Sequence, residues 1–357
     1  MNLLTVFTYM PYAFFALTMA TFVLPLRLKV RAQALWTMAL LLCFSKFLCF
    51  HAFGGHPFNP DLPAAVIWTW DWLYSGAMIL SALGLFTVFF RFRPKMWLLP
   101  LVAWGLSARG LYSGLRVPDV HEVELAYANL PAFLDGYRIV QLSDLHCSSA
   151  ARRWRTQAVV DAANALKPDL ICLTGDLADG RASRIARHLE PIRELRAKDG
   201  VFACKGNHEY YHGIDGLINK FKELGIRVLE NQSLEIAGVN LAGVYDITGF
   251  KMGKFEPDFI KALKYTNPNL PTILLTHQPR SLQYLHKDVD LAILGHTHGG
   301  QIFPFSFLVW LNQKYIYGLY KINENMQIVV SSGAGLWGPP FRVGTNSEIV
   351  YLKLKGE

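Results

Sequence analysis

The chain has 357 residues, 52% of them hydrophobic, and a mean hydropathy of +0.22; it is too apolar for an ordinary soluble enzyme and long enough for about two domains. Its net charge is +8, yet up to Arg116 nine Lys and Arg stand against only Asp61 and Asp71, so almost all of that charge lies in the first third. The remainder is close to neutral, which excludes the basic footprint of a nucleic-acid-binding protein.

Four apolar runs come first, residues 3–26, 34–53, 64–90 and 96–115. Each is long enough as a helix to cross the ~30 Å hydrocarbon core of a bilayer. The first is not a secretory signal, because Met1-Asn2 supplies no basic leader and further apolar runs follow. Arg27, Lys29 and Arg31 separate the first two runs; Arg91, Arg93 and Lys95 separate the last two; the N-terminus and loop 54–63 have no Lys or Arg. The positive-inside rule places both basic loops in the cytoplasm, so four spans put everything after Arg116 outside. If one run fails to span, that side reverses. Lys46, Asp71 and Arg109 lie within the runs at one depth, roughly 18–20 Å from the cytoplasmic end. Lone charges there are costly, so the expectation is one buried ion cluster joining three helices.

Residues 1–116 thus form an all-α transmembrane region of about four helices, and 117–357 a separate α/β domain. Strand-like runs are 137–142, 169–173, 201–204, 239–244, 272–275, 291–294, 327–331 and 348–354; residues 152–166, 183–197 and 214–224 read as helices. The junction near 116–120 is short. The five cysteines are scattered through apolar runs and build no disulfide framework. Cys147 reads as filler at a strand end.

Several strands end in reactive residues. The run Ile139-Val140-Gln141-Leu142-Ser143-Asp144-Leu145-His146 closes on Asp-x-His. In an extended chain, residues i and i+2 share a side, so Asp144 and His146 can grip one cation at the mouth of a sheet. Later runs lead into Gly175-Asp176-Leu177-Ala178-Asp179, Gly206-Asn207-His208-Glu209, Thr276-His277 and Gly295-His296-Thr297-His298. One such ending is an ordinary cap or turn. Five in order are a site.

These five blocks, in this order, resemble the calcineurin-like metallophosphoesterases. His-Gly-Gly-Gln at 298–301 and the Gly-rich stretch 332–342 look like the family's bacterial membrane-attached branch. The resemblance implies a two-sheet sandwich flanked by helices, with two metal ions at the strand ends. It implies Asp144, His146 and His298 on one metal, Asn207, His277 and His296 on the other, and Asp176 bridging them. It also implies that His208 faces the phosphate as the catalytic acid; Asp179 reads as a support behind the ligands or a structural residue, not a catalytic one. Glu209 departs from the Asp found in many relatives. Two such cations can activate water and neutralise charge at phosphorus. Mixed His and carboxylate donors suit Mn, with Fe or Zn as alternatives. His188, His212 and His286 read as surface residues.

Eight of the eleven residues in 301–311 are apolar. The segment either packs on the core or forms an apolar rim for an acyl chain, with 337–341 as the opposite wall. The expected activity is metal-dependent hydrolysis of a phosphoester or pyrophosphate, with a phospholipid or other phosphorylated amphiphile and the bilayer as partners. The alternatives are a UDP-2,3-diacylglucosamine pyrophosphatase at the cytoplasmic face and a non-catalytic metal-binding sensor or scaffold.

Overall fold

The computed structural model describes residues 3–53, 62–91, 95–128, 130–303 and 305–356; residues 54–61 of the expected outer loop, Arg93 and Pro304 lie outside that set. It divides into two compact units, Met1–Leu115 with Gly338–Val343, and Arg116–Trp337 with Gly344–Glu357.

The first unit holds α1 (Leu3–Thr18), α2 (Val30–Phe53), α3 (Ala64–Phe89) and α4 (Leu98–Leu115). A π-helical turn, Met19–Val23, and a 3-10 turn, Leu24–Leu26, extend α1. Three stretches, Tyr9–Leu26, Val30–Phe50 and Ala64–Phe89, are long and apolar enough to cross a membrane. The fourth expected span, α4, falls short of that measure, diluted by Pro100, Arg109 and three glycines. Hydroxyls join the helices: Thr18 to Ser81, and Ser107 Oγ to the carbonyl of Trp72 at 2.8 Å. Small polar contacts of this kind replace the hydrophobic drive that lipid removes. Within the same unit the Arg342 N–H donates to the Gly110 carbonyl at 3.0 Å.

The three-charge cluster is instead a pair. Lys46 Nζ meets Asp71 Oδ1 at 2.6 Å, both fully buried, while Arg109 is exposed. Depth along a helix fixes height but not direction. The buried residues of α4 are Leu99, Ala103, Ser107, Gly110 and Gly114, a single stripe, and at about 100° per residue position 109 points away from it.

The second unit contains β1 (Asp119–Tyr127), β2 (Arg138–Leu142), β3 (Leu170–Thr174), β4 (Val201–Cys204), β5 (Arg227–Val228), β6 (Gln232–Ile236), β7 (Val239–Gly243), β8 (Thr272–Leu275), β9 (Leu291–Leu294), β10 (Gly318–Lys321), β11 (Gln327–Val330) and β12 (Glu348–Gly356). Its helices are α5 (Arg153–Ala165), α6 (Ala182–Leu189), α7 (Asn207–His212), α8 (Ile214–Glu223), α9 (Thr248–Met252), α10 (Phe259–Leu263) and α11 (Phe305–Gln313). The strands form two six-stranded mixed sheets, ordered β1-β12-β2-β3-β4-β5 and β10-β11-β9-β8-β7-β6.

Successive residues serve different layers. Ile139, Leu170, Phe202, Ile273 and Ile293 fill the space between the sheets. Val140, Leu142, Ile171 and Leu173 face outward beneath Val159, Leu189 and Leu217 of the flanking helices. Burial on both faces explains why these strands read as unbroken apolar runs. The helix expected over 183–197 stops at Leu189, and a 3-10 turn containing Pro191 follows, because proline supplies no N–H to continue the ladder. At the end of the sandwich where the reactive loops emerge, Gln141 Nε2 donates to the carbonyl of Leu294 at 2.6 Å and to Thr174 Oγ1 at 2.9 Å. That side chain ties one sheet to the other.

Candidate metal centre

Parallel neighbours β2 and β3 stay bonded beyond the sheet. Asp144 N–H donates to the Gly175 carbonyl, His146 N–H to Asp176 and Cys147 N–H to Leu177, each at 3.0 Å. The two loops are zipped together there, and the chain is not extended. Asp144, His146 and Asp176 have φ of 54°, 44° and 52°, and His296 and His298 have 72° and 50°. Each left-handed residue costs on the order of 1 kcal/mol or more, and clusters of them mark functional sites. The extended geometry expected for Asp144 and His146 is therefore corrected: the strand ends at Leu142, and left-handed turns bring in both side chains.

Asp144, His146 and His298 offer one set of donor atoms within 4.8 Å of one another, and Asp176, His277 and His296 a second. In the first, the facing Nε2 atoms of His146 and His298 are 3.0 Å apart, and His298 Nε2 is 3.5 Å from Asp144 Oδ1. In the second, His277 Nε2 is 3.2 Å from both Asp176 Oδ2 and Asn207 Oδ1. Asp176 Oδ2 also lies 3.8 Å from His146 Nε2, between the two sets. All seven residues expected as ligands converge.

The backbone sets their orientation. His277 Nδ1 sits 2.7 Å from the carbonyl of Thr174; a carbonyl only accepts, so Nδ1 keeps its proton and Nε2 faces the centre. Asp144 accepts from Ser143 Oγ at 2.5 Å and from the His296 N–H at 3.0 Å. A side chain on Gly206 would strike the Asp176 carboxylate, so this close approach of two loops requires glycine. Glu209 is fully buried and accepts four backbone N–H groups: Gly206 at 2.7 Å, Leu177 at 2.9 Å, Asp176 at 3.0 Å and Ala178 at 3.3 Å. It braces the Asp176 loop, a role the sequence did not reveal.

His208 is the second residue of α7, and its N–H donates to Asp176 Oδ1 at 2.8 Å. Its Nδ1 is held by the Asp179 carboxylate, and its Nε2 lies 4.0 Å from Asp176 Oδ2. Asp179 is also 3.1 Å from His146 Nδ1 and 3.6 Å from His212 Nε2. It orients a candidate ligand and the candidate acid together, the supporting place expected for it. Burial favours a neutral His208, but Asp179 and Asp176 overcome it and push the ring up to about 9. Burial likewise opposes charge on His277, and Asp176 nonetheless holds it well above the usual imidazole value. Burial and the charge on His277 push His296 down to about 3. Burial and Asp176 raise Glu209 to about 7 against its four N–H donors.

These properties fit divalent cations. The centre stabilises positive charge on His277 and His208, keeps a bare imidazole on His296, and turns paired Nε2 atoms toward each other. Cys147 adds no thiolate, since burial pushes it up to about 12 and its Sγ lies against Thr156 Oγ1. Of the three expected surface histidines, only His286 is exposed. His188 is buried and accepts the Arg153 N–H at 3.1 Å, and His212 borders the site through Asp179. Trp337, expected on the wall of the site, sits with its ring 6.4 Å from His208. Gln301 fixes it, donating to its carbonyl at 2.7 Å and accepting its N–H at 3.1 Å.

A family model described as calcineurin-like phosphoesterase matches residues 137–300. A metallophosphoesterase of Helicobacter pylori is 41% identical over 256 residues, 71% of this chain and 68% of its own. One of Campylobacter jejuni is 38% identical across 69% of this chain and 65% of its own. A transmembrane protein with metallophosphoesterase domain from Danio rerio is 33% identical across 70% and 60%. The chain thus spans slightly less than two thirds of the last two.

Proposed function

Because the chain belongs to the calcineurin-like metallophosphoesterases, we propose that it hydrolyses a phosphoester or pyrophosphate carried by a membrane-resident amphiphile. The observation that supports this most is Asp176, whose carboxylate lies within 4.0 Å of His146, His277 and His208 together. In this reading Asp144, His146 and His298 hold one divalent cation, Asn207, His277 and His296 the other, and Asp176 both. When bound, the cations, Mn²⁺ first and Fe or Zn next, supply Lewis acidity toward phosphorus and a nucleophilic water at neutral pH.

The chain supplies the rest. His208 donates a proton to the leaving oxygen, and Asp179 keeps its ring aimed there. Trp337, fixed by Gln301, screens that proton from bulk water. Glu209 keeps the Asp176 loop from relaxing when charge is added or removed. Metal-dependent hydrolysis of p-nitrophenyl phosphate, removed by chelator and by Asp176→Asn, tests the reading. Turnover that survives Asp176→Asn leaves the sensor or scaffold alternative standing.

The four long helices and the basic loops favour a multi-pass protein with its catalytic domain outside the cytoplasm, facing envelope lipids. One observation favours a second reading. An α4 that does not span, as its exposed Arg109 and diluted composition allow, leaves three spans and a cytoplasmic domain. UDP-2,3-diacylglucosamine then becomes the leading substrate. A reporter fused after Glu357 and active on only one side of the membrane separates the two.

A further inference from the structure

The amphipathy of α11 is inverted. A helix on a water-facing surface turns its polar side outward. Here the exposed residues are Phe307 (60%), Leu308 (57%), Trp310 (48%), Leu311 (61%) and, at its last turn, Asn312, and the buried one is Gln313. Phe307 and Trp310 stack with ring centroids 5.9 Å apart. Phe303 before the helix, and Tyr317 and Leu319 after it, extend the exposed apolar surface. This excludes the core-packed alternative for 302–311.

Charge along this segment has one sign. From Leu291 to Asn323 there is no Asp or Glu, whereas Lys314 and Lys321 are both exposed. An apolar face on a segment that carries exposed lysines and no acid complements an anionic headgroup layer.

Nor is the helix loose. Gly300, two residues after His298, has φ 83° and lies so close to Ser306 that a side chain there would collide with it. At the other end Gln313 Oε1 accepts the Arg280 N–H at 3.1 Å, and its Nε2 donates to Gln278 Oε1 at 3.3 Å; Gln278 follows His277. Both ends of α11 are therefore fastened to loops that carry candidate ligands, while its middle presents only apolar side chains outward.

We propose that α11 inserts into the interfacial layer of a phospholipid bilayer and holds the metal centre at the level of the lipid phosphates, so that the substrate is a phosphoester borne by a lipid of that layer. The insertion stands on the helix alone; the substrate class rests on the phosphohydrolase reading above. The chain itself supplies three membrane-grade helices, so lipid is at hand for this surface.

The test uses the full chain in vesicles of phosphatidylethanolamine and phosphatidylglycerol doped with phosphatidic acid. A benzophenone amino acid replacing Leu311 is expected to form adducts with phospholipid, and one replacing Tyr265, 79% exposed and far from α11 in sequence, is not. Adducts with a second copy of the chain, or none at position 311, overturn the insertion. The double variant Leu308→Ser/Leu311→Ser is expected to keep its rate on p-nitrophenyl phosphate and lose about tenfold on vesicle-borne phosphatidic acid, the scale of two part-buried leucines. Equal loss on both probes overturns the proposal. Hydrolysis of the soluble probe with phosphatidic acid untouched by wild type overturns its lipid half, and hydrolysis of neither probe, with lipid adducts intact, counts against the phosphohydrolase reading alone.

Discussion

Two of the places where the described residues bury charge are built in opposite ways. In the helical unit Lys46 faces Asp71, one charge against one. At the strand ends Asp144, Asp176, Asp179, Glu209 and Asp246 are all buried, and the groups that face the three aspartates Asp144, Asp176 and Asp179 across the centre are histidines. The pair is balanced in charge as it stands. The acid-rich centre still calls for positive charge, as protons when bare and as cations when loaded. A balanced site can serve as a staple; an unbalanced one is a binding site.

The largest effect that sharpens this contrast comes from His208→Asn. It keeps the carboxylates and removes the proton, so turnover should fall about 10²–10⁴-fold at unchanged metal content, read by elemental analysis of the purified variant. If the metal leaves as well, His208 belongs with the ligands and the acid is elsewhere. Next in size is Lys46→Met, which leaves Asp71 buried without its partner and should cost about 3–5 kcal/mol, seen as a lower melting temperature in detergent. Lys46→Met with Asp71→Leu should recover most of that loss. A double variant as weak as the single one means that packing, and not charge balance, holds the helices.

The smallest effect is a slope with pH. In the metal-free chain His208 is pushed from 6.5 up to about 9 and Glu209 from 4.5 up to about 7. The folded form therefore binds these protons more tightly than the unfolded form. The stability they lend is complete below the unfolded values and is lost as pH rises through the folded ones. Melts with chelator should fall between about pH 6.5 and 9, while Mn²⁺, which competes with those protons, should flatten or reverse the slope. A metal-free melt that rises over this window contradicts the charge imbalance.

The donor types were legible because a strand's burial and the residue that ends it are both local in sequence. The five blocks therefore led to the right end of the right sheets. The left-handed turns at Asp144 and His146 were not legible, since they arise from hydrogen bonds to residues about thirty positions away. Glu209 looked like a small departure from a pattern; only folding shows it reaching back across the Asp176 loop. Arg109 was misjudged because composition gives depth and not direction. Segment 302–311 has one composition for two fates, and the choice lies in which face its neighbours cover. β1, with His121, Glu122 and Glu124 in its middle, hides its strand character behind charge.

β1 has one neighbour in its sheet, β12, paired in parallel along nine residues. Their side chains meet as well: Lys353 Nζ reaches Glu122 Oε1 at 2.5 Å across 231 positions of sequence. On the ribosome, β1 emerges directly after the membrane helices and has no strand to join until β12 follows. At roughly 5–20 residues per second, that wait is on the order of ten seconds or more. Through it, β1 is an unpaired edge, and the charges that hid it in the sequence keep such an edge from sticking to others.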